Sequence, residues 1–134
     1  MNVVKCIRNA AAALLAAGLF PLVAAADSPL GIWESEPMGK GGYAHIRIAP
    51  CDTAGDQLCG RITRILSSDR SDLVGVELLR NMTAEGSGRW GKGDIYSPDK
   101  NRYFDSHMIL NGDGLEVRGC LAGLCKSQKW ARVQ

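Results

Sequence analysis

Short runs of hydrophobic and polar positions, divided by turn-forming residues, recur along the chain, and one of them alternates with a period of two. That run is Tyr43–Ala49: Ala44, Ile46 and Ile48 share one face, and His45 and Arg47 the other. That is the pattern of a half-buried strand. Runs carrying β-branched and aromatic residues recur at Leu30–Ser35, Cys59–Leu66, Trp90–Tyr96, Arg102–Leu110, Leu115–Cys120 and Cys125–Val133. Turn-forming residues separate them at Pro37–Gly42, Asp52–Asp56, Glu85–Gly88, Ser97–Asn101, Asn111–Gly114 and Ala122–Gly123. Asn111–Gly114 reads as a tight hairpin, and Pro98 is preset for a turn position. Short strands at roughly ten-residue spacing predict an antiparallel barrel or sandwich. The candidate inward residues are Ile46, Ile48, Ile62, Trp90, Tyr96, Phe104, Met108, Leu110 and Val117.

Ser67–Thr83 departs from this rhythm. Val76, Leu79 and Met82 recur at three-residue spacing, which predicts a single helical turn or a long connecting loop. In a closed barrel such a segment lies across one end as a lid, either plugging the core or covering a ligand cavity.

The amino terminus is of another kind. Lys5 and Arg8 precede a 14-residue apolar run, Ala10–Val23, followed by Ala24 and Ala26 in an A-x-A arrangement. These are the three parts of a secretory signal, and the run falls short of the roughly 20 apolar residues that span a bilayer. Residues 1–26 are therefore expected to be a cleaved signal peptide and residues 27–134 one β-barrel domain. The expected location is the bacterial periplasm or the exterior.

Cleavage changes the charge. Lys5 and Arg8 leave with the signal, so 14 of the 16 basic residues remain against 14 acidic ones. A neutral domain without a Lys/Arg cluster lacks the electrostatic footprint of a nucleic-acid binder, and the balance also argues against an anionic membrane surface.

Of the five cysteines, Cys6 leaves with the signal, and Cys51, Cys59, Cys120 and Cys125 remain. An even number in an exported chain predicts disulfides. Each neighbouring pair flanks a turn-like segment, which favours Cys51–Cys59 and Cys120–Cys125. Loops this short stabilise by about 2–2.6 kcal/mol each in the loop-closure model. The spacings C-x₇-C and C-x₄-C fit neither a usual structural zinc site nor a C-x-x-C redox pair.

Candidate chemistry is sparse. The chain has two histidines, His45 and His107. Asp105 shares a strand face with His107, so a metal or acid–base site requires His45 to meet them across a sheet. No G-x-S-x-G, H-E-x-x-H or phosphate-cradling glycine loop occurs. The sequence is read as that of a non-enzyme without metal or cofactor.

Several segments together resemble the bacterial DUF2147 family nearly throughout the mature chain. They are Gly31-Ile-Trp33, Ile46-Arg-Ile-Ala-Pro-Cys51, Leu58-Cys-Gly-Arg-Ile62, Gly93-Asp-Ile-Tyr-Ser-Pro98, Leu115-Glu-Val-Arg-Gly119 and Trp130-Ala-Arg-Val133. The resemblance implies a small exported protein with an all-β antiparallel barrel of the lipocalin/calycin type. Two features depart from the family pattern: Ser97-Pro98 stands where Asp-Pro is usual, and Cys120–Cys125 is an additional staple. The Gly-x-Trp opening is also similar to that of lipocalins proper. There a tryptophan of the first strand plugs the closed end beneath a basic side chain of the last, which casts Trp33 and Arg132 as scaffold residues.

The expected function is binding of a small hydrophobic molecule, such as a fatty acid or lipid fragment, in the barrel mouth. Leu78, Leu79 and Met82 of the lid, with Trp90, Phe104 and Met108, are its expected contacts. The alternative is a filled barrel serving as an envelope interaction or stress-related structural module without a ligand. Neither reading includes nucleic acid or, once the signal is gone, a membrane span; the protein partner is open.

Overall fold

The computed structural model describes Gly18 and residues 28–134 except Ala54. The expected signal peptide, residues 1–26, lies outside the described residues apart from Gly18. Eight strands follow in chain order: β1 (Gly31–Glu34), β2 (Tyr43–Pro50), β3 (Leu58–Leu66), β4 (Glu77–Gly86), β5 (Arg89–Ser97), β6 (Arg102–Asn111), β7 (Gly114–Leu121) and β8 (Leu124–Arg132). Each pairs antiparallel with the next, and β1 pairs with β8 through Trp33↔Arg132 and Glu34↔Ala131, closing the barrel. That closing pairing is confined to two residues of each strand, so β8 from Leu124 to Trp130 has no β1 partner.

The alternation read from β2 holds: Ala44, Ile46 and Ile48 are buried, and Arg47 is exposed. The expected hairpin joins β6 to β7 through Gly112 and Asp113, with Asn111 opposite Gly114. Gly112 sits at φ +58°, the left-handed conformation that tight hairpin loops need and glycine adopts without penalty.

Ser67–Thr83 is a correction. The helical turn is confined to Ser71–Leu73, and from Glu77 onward the chain is strand β4. Leu78, Leu79 and Met82 therefore belong to the barrel wall rather than to a lid. The three-residue spacing has a physical cause in two irregularities of the β3–β4 ladder. Leu58 faces Met82 while Gly60 faces Leu79, so β4 carries one extra residue there, with Asn81 at φ +57°. Arg61 then faces Glu77, which makes Leu78 a second extra residue. Each bulge resets which side chains point inward, so Leu78, Leu79 and Met82 are all buried.

The interior divides by height. Trp33, Ile46, Ile48, Leu79, Met82, Met108 and Leu115 are fully buried or nearly so and fill the half of the barrel where Ser28 and Gln134 lie. Packing there is close. The Met82 sulfur lies 2.3 Å from where a Cβ on Gly93 would stand, so Gly93 makes room for that side chain.

A candidate ligand cavity at the open end

The odd-numbered strands run toward one end of the barrel, which carries the β1–β2, β3–β4, β5–β6 and β7–β8 connections. The opposite end carries Ser28, Gln134 and the remaining turns.

At that opposite end, a buried tryptophan is locked by polar contacts. Trp33 Nε1–H donates to the Pro29 carbonyl at 2.8 Å. The Arg132 guanidinium lies over the Trp33 ring, 4.3 Å from its centroid. It also donates from Nη1 to Leu30 O at 3.0 Å and from Nη2 to Ser28 O at 2.7 Å. Asp113 stands 3.5 Å from Arg132 Nε, an ionic contact longer than a good hydrogen bond. One cation thus satisfies carbonyls of the incoming chain and covers an indole face, an arrangement that resists opening. This end is closed.

The other end is hollow, with a cavity of about 650 Å³. Its apolar wall includes Ala44, Ile62, Leu78, Ile95, Phe104, Val117 and Trp130. The space exists because small or polar residues occupy inward positions near the mouth. Ala44 offers only a methyl group and Gly119 no side chain, and β8 turns inward Gln128 and Lys126 above Trp130. Trp130 Nε1–H donates to Gln128 Oε1 at 2.9 Å, so the indole nitrogen is satisfied within the wall.

Closure is also incomplete here. Beyond Glu34 no β1 residue faces β8; instead the Glu36 carboxylate accepts the Lys129 backbone N–H at 3.1 Å. The Cys120–Cys125 disulfide, its Cα atoms 4.1 Å apart, staples the β7–β8 hairpin at this mouth. Cys51–Cys59 bridges the base of the β2–β3 connection at the closed end, with a Cα separation of 5.0 Å. Both pairings are those expected from the sequence. Leu121 and Leu124 flank the β7–β8 turn, line the cavity and are exposed, Leu124 by 81 %.

Of the six expected ligand contacts, the fold brings Leu78 and Phe104 to the cavity wall. Leu79, Met82 and Met108 lie deeper, buried in the filled half, because the β4 bulges and the inward register of β6 place them there. Trp90 lies one residue into β5 at the closed end, packed against the core. The sequence reading missed Lys126, Gln128 and Trp130, although their alternate spacing in the last strand was a usable signal of a shared face.

The histidines do not converge. His45 is on β2, its Nε2 3.1 Å from the Glu34 carboxylate, and His107 is on β6, four strands around the ring. No three His, Cys, Asp or Glu side chains among the described residues are grouped to hold a metal ion. At the cavity mouth Arg70 donates to Asp72 from Nε at 3.0 Å and Nη2 at 3.2 Å. These hydrogen bonds hold the Asp72 carboxyl below its ordinary range and raise the guanidinium further.

The fold has a solved counterpart, described as "Protein HP1028 from the human pathogen Helicobacter pylori belongs to the lipocalin family". The two superpose with a TM-score of 0.64 at 11 % identity, over 80 % of this chain and 84 % of that one. At that identity the likeness concerns the fold alone. No curated protein matches the sequence. The family model described as "Uncharacterized protein conserved in bacteria (DUF2147)" matches residues 31–132. With that match covering the whole barrel, the chain belongs to the DUF2147 family.

Proposed function

We propose that this protein is exported across the bacterial inner membrane, loses residues 1–26, and binds a small hydrophobic molecule in the open end of its barrel. It acts as a carrier or sensor rather than as an enzyme. The observation that carries this reading is the half-filled interior: tightly packed around Trp33, yet hollow by about 650 Å³ at the mouth. That volume lies within the range of small-molecule sites. A filled-barrel interaction module requires a dry core throughout, and the hollow half favours the carrier. Export is supported by the amino-terminal pattern and by two disulfides, which persist in oxidising compartments.

Native mass spectrometry of the full-length gene product, recovered from the bacterial envelope, tests both parts. The expected result is a chain beginning at Asp27 with a discrete added mass that is lost on denaturation. An Ala44→Phe variant, which fills the cavity from its wall, is expected to fold and travel without that mass. A bare chain overturns the carrier reading, and an uncut amino terminus overturns cleavage.

A further inference from the structure

Three connections at the open end each supply one cation to the cavity, Lys40 from β1–β2, Arg70 from β3–β4 and Lys100 from β5–β6, and strand β8 adds Lys126. Two carboxylates, Glu36 and Asp99, also line it. The four cations outnumber them two to one. Glu36 accepts the Lys129 backbone N–H, and Asp99 adds to the field around Arg70, which Asp72 already holds. The three lysines make no ion pair among the described residues. Lys100 Nζ lies 5.6 Å from the centroid of the Phe104 ring, part of the cavity wall.

Depth adds direction to this charge. Along the inward face of β8, buried Trp130 is followed toward the mouth by Gln128 and then Lys126, facing Leu115, Val117 and Gly119 on β7. An apolar floor thus gives way to an amide and then to an ammonium group. A ligand wholly apolar from end to end leaves the lysines idle, and a cationic one is repelled by them. An unbranched apolar tail with a negative head satisfies both ends.

We infer that the ligand is a single-chain anionic amphiphile, its tail against Ile62, Val117 and Trp130 and its head among Lys40, Lys100 and Lys126. This inference rests on the proposed binding of an apolar molecule in the same cavity and names its chemical class.

The test compares tetradecanoate, tetradecanol and tetradecyltrimethylammonium, each displacing a neutral apolar fluorophore from the purified protein at concentrations below micelle formation. Tetradecanoate is expected to bind about tenfold more tightly than tetradecanol, the order that a few partly exposed charge contacts supply, with the cation weakest. The triple variant K40Q/K100Q/K126Q should bring tetradecanoate down to the alcohol and leave tetradecanol unchanged. In the unaltered protein, added salt should weaken tetradecanoate alone. Equal affinities, or preference for the cation, overturn the head-group assignment and leave apolar binding standing. Failure of the fluorophore and all three amphiphiles to bind overturns both.

Discussion

The two ends of the barrel use the same strands to opposite effect. At the closed end, inward positions carry large apolar side chains, and a single arginine joins the last strand to the chain entering the first. At the open end, the same alternation delivers Ala44, Gly119, Gln128 and Lys126. Antiparallel topology therefore sets the shape of the container, and whether it is full depends on side-chain size at a few upper positions. The close packing lies below and the cavity above, and on the proposed function this division lets a rigid base leave the mouth free to vary.

The strongest way to break this comparison is at the base. Trp33→Ala should destabilise by about 3–5 kcal/mol, the range for removing a buried aromatic side chain, read as a shifted urea midpoint. Variant that remains folded should bind apolar ligands as before, because Trp33 does not line the cavity. A weakened affinity at constant folded fraction would sink the division of labour.

The disulfides sharpen the comparison, since there is one at each end. Replacing Cys51 and Cys59 together by alanine should cost about 2.5 kcal/mol, and replacing Cys120 and Cys125 about 2 kcal/mol. Denaturation should resolve both losses. Ligand affinity should fall only for the second pair, which staples the hairpin bearing Leu121 and Leu124 at the mouth.

The smallest effect concerns Asp72. Its carboxyl is depressed by hydrogen bonds from Arg70, so any stability it adds is fully present above the unfolded carboxylate value near pH 4. That contribution is lost as pH falls through the lower folded-state value. Melting curves of Asp72→Asn should lie slightly below those of the unaltered protein at neutral pH and merge with them in acid. The pair is exposed and the difference slight. A gap that widens in acid would contradict this sign.

Much of the fold was legible before the structure. Runs of β-branched and aromatic residues between turns marked seven of the eight strands, and cysteine spacing gave both pairings, because each depends on neighbours close in sequence. Strand β4 escaped because its two bulges break the period and bring Leu78, Leu79 and Met82 inward together. A bulge is set by a partner strand, and no local pattern announces it. The expected ligand contacts divide for the same reason: Leu78 and Phe104 line the cavity, while Met108, two steps further along β6 on the same face, lies in the packed floor.

The sequence alone determined the all-β architecture, the local disulfides and the family to which the chain belongs. Strand-like runs, turn chemistry and short spacings carried the first two, all acting over a few residues, and the resemblance of motifs such as Leu58-Cys-Gly-Arg-Ile62 carried the third. Only the tertiary structure decided that one half of the barrel is full and the other hollow, and that cations from three connections and from β8 meet around one mouth. Those outcomes depend on how far around and how high up a closed ring each side chain lies, a geometry created when the first strand meets the last.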